Sequence, residues 1–465
     1  MFTNIILREI HQHILSLRLH LTLILVLLLF GIGTLAFVKS HAAGRERYEQ
    51  YYAEMFEQAR EQAENNLTRY IVNGRSLVLS PRSNAFISDA REEHLPTQFW
   101  YSGYNVFGFD VPGEASNKYM ESFQHLDWMY IVAIIISFAV LLLTFDAVSG
   151  EKETGTLAIS FSNSISHGNL LFGKYLSVVI TSILVLVPGI ALSLVILLLS
   201  GTVIIGGTLL AEVAGFMAVV AVFVSCMAAL GLLASVITKH SNVSLLICLC
   251  LWLGAVVVVP NSAVFMTNRL FPIDSSDTIN ERITKEKVEI NRNAPPGSWS
   301  SAGNNPFFEG HELRANNQMN LMTAEKRIKD TWNNDLFRQY NGSRLLASVS
   351  PVALFGYLCE AVVGGGYVRL QRAWDDIRNY QNQLLTWFKG IDANDEASPH
   401  WYNPYEDFST TRKGVSWETV PQFTEQKPTL AERFAAARLS LVLLVLYTAG
   451  AFSLSFVLFL RYDVR

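Results

Sequence analysis

The chain has 465 residues, of which 50% are hydrophobic and only 16% are charged, and its mean hydropathy is +0.26. This composition is typical of an integral membrane protein rather than of a soluble globular one. The net charge of −4 and the pI of about 6.2 are not those of a nucleic-acid-binding protein, so no nucleic acid is expected as a partner.

The first 18 residues predict an amphipathic helix. Ile6, Ile10, Ile14 and Leu17 recur at helical spacing, and the polar side chains lie between them. Such a helix lies in the membrane interface rather than crossing it. The alternative is an ordinary positively charged segment that leads into the first membrane span.

Six apolar segments are long enough to cross a hydrocarbon core of about 30 Å, which requires about 20 residues in a helix. Each must be helical, because lipid offers the backbone no hydrogen-bond partner. The predicted spans are 19–38, four that lie within 128–264 (128–145, 175–199, 214–236 and 243–264), and 439–460.

The orientation of these spans is predicted from lysine and arginine in the short connecting segments, where cytoplasmic loops carry the excess. The opposite short segment, 200–213, contains neither residue. The 1–18 helix, the 146–174 loop and the 461–465 tail are therefore expected in the cytoplasm. The basic residues on that side are Arg8, Arg18, Lys152, Lys174, Lys239, Arg461 and Arg465.

Two long regions, 39–127 and 265–438, then lie outside the cytoplasm and together exceed half of the chain. Regions of this size form a folded domain rather than loops. Hydrophobic periodicity predicts that the domain is mainly helical, with helices at 45–70, 280–291, 319–346 and 367–391. The apolar stretch 349–363 is too short to span, and is predicted to be a core helix or a helix on the outer leaflet.

Aromatic residues cluster at two places in these outer regions. Such residues pack in a core, contact lipid headgroups, or line a binding surface, and the sequence leaves all three uses open. They are Trp100, Tyr101 and Tyr104 in the first region and Trp401, Tyr402 and Tyr405 in the second.

The loop at 146–174 is the most distinctive feature of the sequence. It places three charges between Gly150 and Gly155 and continues as Thr-Leu: SGEKETGTL. Glycines at both ends favour a short helix, which Thr154 or Thr156 is expected to cap. The pattern predicts a short amphipathic helix on one membrane face that offers charges to another molecule.

This stretch, followed by NSISHGNLLFGKYL, resembles the segment after the second span of type-2 ABC exporter permeases. That family has an acidic run followed by Gly-Thr-Leu at this place, where the coupling helix docks on the ATPase subunit. His167 stands where the family usually has arginine or lysine. The ending FVLFLRYDVR, and the Ser350-Pro351 stretch with its later glycines, resemble a subfamily with large extracytoplasmic insertions.

The resemblance implies a permease in the bacterial cytoplasmic (inner) membrane, working as a dimer with two ABC ATPase subunits. The 1–18 segment would be the elbow helix of the family, and the second permease is another copy or a paralogue. ATP and Mg²⁺ would bind to the partner ATPase, and no cofactor to this chain. The implied coupling residues are Glu151, Lys152, Glu153, Thr154, Gly155, Thr156 and Leu157.

Other features of the sequence indicate a functional site less clearly. The run from Gly168 to Tyr175 approaches a phosphate-binding loop, but Tyr175 replaces the hydroxyl residue that would bind Mg²⁺. Glu212 is the one acid near the body of a span, where carboxylates are either functional or interfacial. The histidines show no metal spacing, and no catalytic motif is present, so we expect no intrinsic enzyme activity.

These patterns together predict an all-α integral membrane protein with six transmembrane helices and a large, mainly helical extracytoplasmic domain built from two insertions. Two functions remain open. One is the export of a substrate driven by a separate ATPase. The other is a mechanical or signalling role, in which the same ATPase moves the outer domain against a periplasmic partner and nothing crosses the membrane.

Overall fold

The computed structural model describes residues 2–89, 95–104, 106–110, 126–157, 166–298, 309–402 and 410–461. These residues are predominantly helical, which confirms the predicted fold class. The membrane part begins with α1 (Phe2–Leu15), which Ser16 separates from the next helix. The Ser16 hydroxyl accepts a hydrogen bond from the Leu19 amide and so caps α2 (Leu17–Asn65), the longest of the described helices.

The remaining membrane helices follow in chain order. Two of them contain a π-helical turn, at Val132–Ile136 and Gly254–Val258, and the Trp252 indole N–H beside the second donates to the Ser137 hydroxyl at 3.0 Å. They are α4 (from Trp128–Ile131 to Ser137–Thr144), the short α5 (Ser149–Thr154), α6 (His167–Ser200), α7 (Gly207–Ile237), α8 (from Ser241–Leu253 to Val259–Leu270) and α13 (Leu430–Leu460).

Six helices in the described part of the chain are long and apolar enough to cross a membrane, and each contains one predicted span. This confirms a multi-pass membrane protein. The candidate spans are Leu17–Asn65, Trp128–Thr154, His167–Ser200, Gly207–Ile237, Ser241–Leu270 and Leu430–Leu460.

The outer regions contain the helices predicted for them together with a sheet that was not predicted. The three strands, β1 (Arg75–Val78), β2 (Gln98–Tyr101) and β3 (Val106–Asp110), form one antiparallel sheet in that order. The helices are α3 (Leu67–Val72), α9 (Ser276–Arg292), α10 (Glu309–Ala347), α11 (Pro351–Val363) and α12 (Gly366–Asp392).

One hydrophobic cluster draws on both outer regions. Tyr70 and Phe99 from the first region are buried with Trp374, Ile377 and Phe388 from α12. Of the predicted aromatic clusters, Tyr101 and Tyr104 belong to this core, and Tyr402 packs on its edge. Trp100 remains exposed, and Tyr405 lies outside the described residues.

The stretch predicted as a core or leaflet helix, α11, is inserted among the membrane helices. Its Phe355 stacks on Phe223 of α7, with ring centroids 4.3 Å apart. The Ser350 hydroxyl, at the start of α11, donates to the Ala255 carbonyl of α8 at 2.6 Å. These contacts favour the core alternative. The α11–α12 pair bends by 46° at the intervening glycines, so α12 continues at an angle to α11 rather than as one straight helix.

Candidate functional site

The short helix α5 is anchored at its start to the end of α7. The backbone amides of Val148 and Ser149 both donate to the Ser235 hydroxyl at 2.9 Å, and Ser149 is fully buried. The predicted threonine cap is therefore wrong: the N-cap residue is Val148, and the Thr154 hydroxyl donates back to the Gly150 carbonyl at 2.9 Å. The serine of a neighbouring helix takes over the capping role.

Two charged side chains of the loop, Lys152 and Glu153, bind backbone groups at the ends of other helices. The Lys152 ammonium donates to the carbonyls of Val236 and of Thr238, the latter at 3.1 Å, where α7 leaves its last carbonyls without helical partners. The Glu153 carboxylate accepts from the Ser241 amide at 3.1 Å, at the start of α8. Both contacts fix α5 against the end of α7 and the start of α8.

Glu151 points inward, to a buried lysine. Its carboxylate lies 2.8 Å from the Lys174 ammonium, which also binds Glu9 of α1 at 3.0 Å. The Lys174 side chain is only 4% exposed. Two carboxylates on one buried ammonium compensate the loss of its water, since a buried charge is stable only when paired. The Glu9–Lys174–Glu151 bridge therefore joins α1, α5 and α6.

The amphipathic helix α1 packs along the start of α6. Phe2 stacks on Phe172 with centroids 5.8 Å apart, and Ile5 lies so close to Gly173 that a Cβ there would be 2.9 Å from it. Partial burial lowers the pKa of His13 on α1, which favours the neutral form of this imidazole.

A second contact ties the first span to the end of α4. The Arg18 guanidinium donates to the Asp146 carboxylate at 2.8 Å and to the Leu142 carbonyl at 3.1 Å. It also lies over the Phe145 ring, 4.8 Å from the centroid. The loop that carries α5 is thus fixed to neighbouring helices at its start, by Asp146, and at its end, by Lys174.

The far end of the predicted motif divides into a buried and an exposed part. Leu157 is 2% exposed and belongs to a hydrophobic cluster with Leu170, Val236 and Phe459. Between α5 and Leu157, the chain turns at Gly155, whose φ of +72° is the left-handed conformation that glycine adopts without strain. The exposed residues of the motif are consecutive: Glu153, Thr154, Gly155 and Thr156.

The seven predicted residues thus form one structure with two sides. Glu151, Lys152 and Leu157 hold it to the membrane helices. The stretch 153–156 is exposed, and within it the Glu153 carboxylate also binds the Ser241 amide of α8. Sequence reasoning missed Lys174, Glu9 and Ser235 as supporting residues. A lysine at the start of an apolar helix, as Lys174 is, was the one available signal. The rest of the predicted loop, 158–165, lies outside the described residues.

The described part of the loop, 146–157 and 166–174, carries no sign of nucleotide or metal chemistry. The stretch from Gly168 to Tyr175 is a continuous part of α6, and a phosphate-binding loop would require an open turn after a strand. In the ranges that the structure describes, no group of three or more His, Cys, Asp or Glu residues has the arrangement of a metal site.

The sequence profile of the ABC-2 family transporter protein matches residues 3–464, which is nearly the whole chain. The chain belongs to this family. Membership makes it the transmembrane permease component of an ABC transporter, and implies an ABC ATPase as its partner. Comparisons of this ABC-2 protein with curated proteins and with solved structures give no match.

Proposed function

We propose that this ABC-2 protein is the permease subunit of an ATP-driven exporter, and that the exposed stretch 153–156 docks on the ATPase. The observation that carries the proposal is the combination of an exposed tip with a fixed base. Glu153 to Thr156 are exposed, while Lys152, Glu151 and Leu157 attach the same short helix to four others. A docking element has to transmit force, and a solvated turn would not need this support.

The mechanism follows from these attachments. ATP binding in the partner subunits, which supply the ATP and Mg²⁺ sites, closes the ATPase pair and pushes α5. Because α5 is held to α1 and α6 through Lys174, and to α7 and α8 through Lys152 and Glu153, the push moves these helices together. Rigid-body motion of packed helices between subunits is an established way to switch a transporter.

The complete assembly would contain two ATPase subunits and two permeases, the second being another copy or a paralogue. The 1–18 helix and α5 would face the cytoplasm, and the outer regions would form one domain on the opposite side of the bacterial inner membrane. The hydrophobic cluster shared by Tyr70, Phe99 and Trp374 supports a single outer domain.

The mechanical alternative is favoured by one observation, the size of the outer regions. They exceed half of the chain and share a core of their own. In that function, closure of the ATPase would displace the outer domain without opening a path between the permeases. A vesicle assay that records ATP-dependent release of membrane lipid would support export, whereas cross-links from α12 to a periplasmic protein that change with ATP would support the alternative.

The proposed function is tested by isolating the protein with its partner. A tagged chain extracted from native membranes is expected to co-purify with an ABC ATPase, and the reconstituted complex to hydrolyse ATP faster than the ATPase alone. Quantitative mass spectrometry and a phosphate-release assay measure the two quantities. Purification without an ATPase, or an unchanged hydrolysis rate, would contradict the proposal.

The orientation is tested by labelling single cysteines in a chain whose four native cysteines are replaced. Thr156→Cys lies in the exposed coupling stretch and Lys285→Cys on α9, and both positions are exposed. We expect an impermeant maleimide to label Lys285→Cys in spheroplasts, and Thr156→Cys only after the membrane is opened, because basic short segments face the cytoplasm. Labelling of both from outside would overturn the six-span orientation.

A further inference from the structure

The start of α7 carries a carboxylate, Glu212, that takes no part in the contacts of α5. It lies on the second turn of the helix, and its side chain is 17% exposed. A carboxylate at the edge of a membrane span is costly unless its charge is paired, so a specific role is expected for it. The sequence leaves open whether Glu212 is functional or merely interfacial, and its contacts show what it binds.

Glu212 joins α7 to both outer regions. Its Oε2 accepts from the Asn84 side-chain amide at 2.9 Å, and its Oε1 lies 3.4 Å from the Arg433 guanidinium. Asn84 belongs to the region 39–127, and Arg433 lies in the region 265–438, on the first turn of α13. Each oxygen of the carboxylate therefore holds a different outer segment.

The two partners of Glu212 also bind the last carbonyls of α11. The Asn84 amide donates to the Val363 carbonyl at 2.9 Å, and Arg433 Nη1 donates to the Val362 carbonyl at 3.1 Å. The final carbonyls of a helix have no partner within it, so these bonds satisfy groups that would otherwise stay unpaired. We call these three side chains and two carbonyls the Glu212 cluster. Its groups are occupied by one another, and they hold four segments of the chain together.

The packing of the cluster requires glycine at two positions. A Cβ at Gly215, one turn after Glu212 on the same side of α7, would lie only 3.2 Å from the Val362 side chain. A Cβ at Gly364 would lie 2.6 Å from Arg433 Cζ, and the φ of +64° at this position also favours glycine. Glycine thus lets α7 and the end of α11 approach closely enough for the shared hydrogen bonds.

The same helix holds α5 at its other end. The Ser235 hydroxyl accepts from two amides at the start of α5 at 2.9 Å, and Lys152 donates to the carbonyls of Val236 and Thr238. Between Glu212 and Ser235, α7 is one uninterrupted helix, and the two positions are about 35 Å apart along it. Coupling over such a distance is carried by rigid elements with bonded networks at their ends, and α7 has one at each end.

Beyond the cluster, the chain continues into the core of the outer regions. α12 begins directly after the glycine turn, and on its first turn the buried Arg369 donates to the Ser80 carbonyl at 2.6 Å and lies 2.7 Å from Glu425. Further along α12, Trp374 and Ile377 are buried in the hydrophobic cluster that both outer regions share. A movement of the Glu212 cluster would therefore reach this core through α12.

We propose that Glu212 is a positioning residue that fastens the start of α7 to the outer regions, so that the Glu212 cluster passes a displacement of α7 on to them. The inference rests on the proposed function for the source of the displacement, which is the push of the ATPase on α5. It goes beyond that function by assigning the residues through which the push leaves the membrane helices. Sliding of α7 against either outer segment would leave a partly buried polar group without its partner, which is unfavourable.

The first test uses the full-length protein in detergent without the ATPase, and measures amide hydrogen exchange by mass spectrometry. Glu212→Ala removes both acceptors and is expected to raise exchange at 82–89 and 362–370, because these segments lose an anchor. Glu212→Gln retains an acceptor for Asn84, so a smaller rise is expected. Glu49→Ala is the matched control, since Glu49 is an acid at the same junction whose ion pair, with Arg45 at 2.8 Å, lies within α2.

The second test repeats the measurement on the complex with the co-purified ATPase, with and without Mg-ATP and orthovanadate. In the wild type, we expect exchange to change at both ends of α7, namely at 148–154 with 235–239 and at 82–89 with 362–370. In Glu212→Ala, we expect the ATPase to co-purify and the change at 148–154 to persist, whereas the change at 82–89 and 362–370 is lost. Glu49→Ala is expected to respond as the wild type does.

A wild-type response at 82–89 and 362–370 in Glu212→Ala would overturn the proposal, and would leave α2, which enters the outer regions as one helix, as the route. Equal loss in Glu49→Ala would also overturn it. If the wild type shows no change at 148–154, the transmission fails together with the proposed function, while the first test still decides whether Glu212 fastens α7. Gel filtration checks that each variant is folded, and Glu212→Gln carries both tests if Glu212→Ala does not fold.

Discussion

Replacing Lys174 by methionine is expected to remove most of the ATPase stimulation and to lower the stability of the membrane part. The ammonium lies 3.0 Å from Glu9 and 2.8 Å from Glu151, so its loss leaves two carboxylates facing each other between α1 and α5. Removing one partner of a buried ion pair costs about 3–5 kcal/mol. Because both carboxylates retain some exposure, we expect about 2–3 kcal/mol here.

Thermal unfolding of the purified protein and ATP hydrolysis by the reconstituted complex measure the two effects. Lys239→Met is the matched control, because Lys239 is an exposed lysine close to the same membrane face. A second variant separates repulsion from loss of the side chain: Lys174→Met combined with Glu9→Gln and Glu151→Gln carries no charge at the bridge. This triple variant is expected to regain stability, since a neutral replacement of a buried ion network is often tolerated. If Lys174→Met behaved as Lys239→Met does, the bridge would have no coupling role.

Reversing Glu153 to lysine is expected to abolish docking of the ATPase while the protein still inserts and folds. The side chain of Glu153 is 46% exposed, and the resemblance to coupling helices implies a partner groove that accepts acids. Like charges at an interface cost on the order of several kcal/mol. The loss of its capping contact with the Ser241 amide costs about 0.5–2 kcal/mol, which is small enough for folding to persist.

The structure makes the single reversal Glu153→Lys a clearer test of docking than reversal of both Glu151 and Glu153. Glu151 faces the buried Lys174, so Glu151→Lys would disrupt folding by bringing two ammonium groups together, and a loss of activity would have no single cause. Glu432→Lys is the matched control, because Glu432 also caps a membrane helix, at the start of α13, through the Thr429 amide at 2.7 Å.

Co-purification and ATP hydrolysis are then compared across the three proteins. Glu153→Lys is expected to lose both, Glu432→Lys to keep both, and Glu153→Gln, which retains an acceptor for Ser241, to show a partial loss. Wild-type values in Glu153→Lys would mean that the stretch 153–156 is a solvated turn, and would remove the main support for docking at this site.

The sequence by itself determined the membrane architecture and the position of the candidate docking motif. An apolar run of about 20 residues has one stable form in lipid, a helix, so the six spans followed from composition alone. The helices α9, α10 and α12 also followed, because long amphipathic periods are a local property. The order of acids, glycine and Thr-Leu at 151–157 located the candidate site without any knowledge of contacts.

Only the tertiary structure decided which side chains of that site face inward. Glu9 and Lys174 are 165 positions apart, and Lys152 bonds to carbonyls 84 and 86 positions away, so no local pattern shows that these charges are already occupied. The strands β1 to β3 have four or five residues each and show no strict alternation of apolar and polar residues, so no local pattern marks them as strands. The charges of the Glu9–Lys174–Glu151 bridge come from segments that are adjacent only after folding, and the sequence records neighbours along the chain rather than neighbours in space.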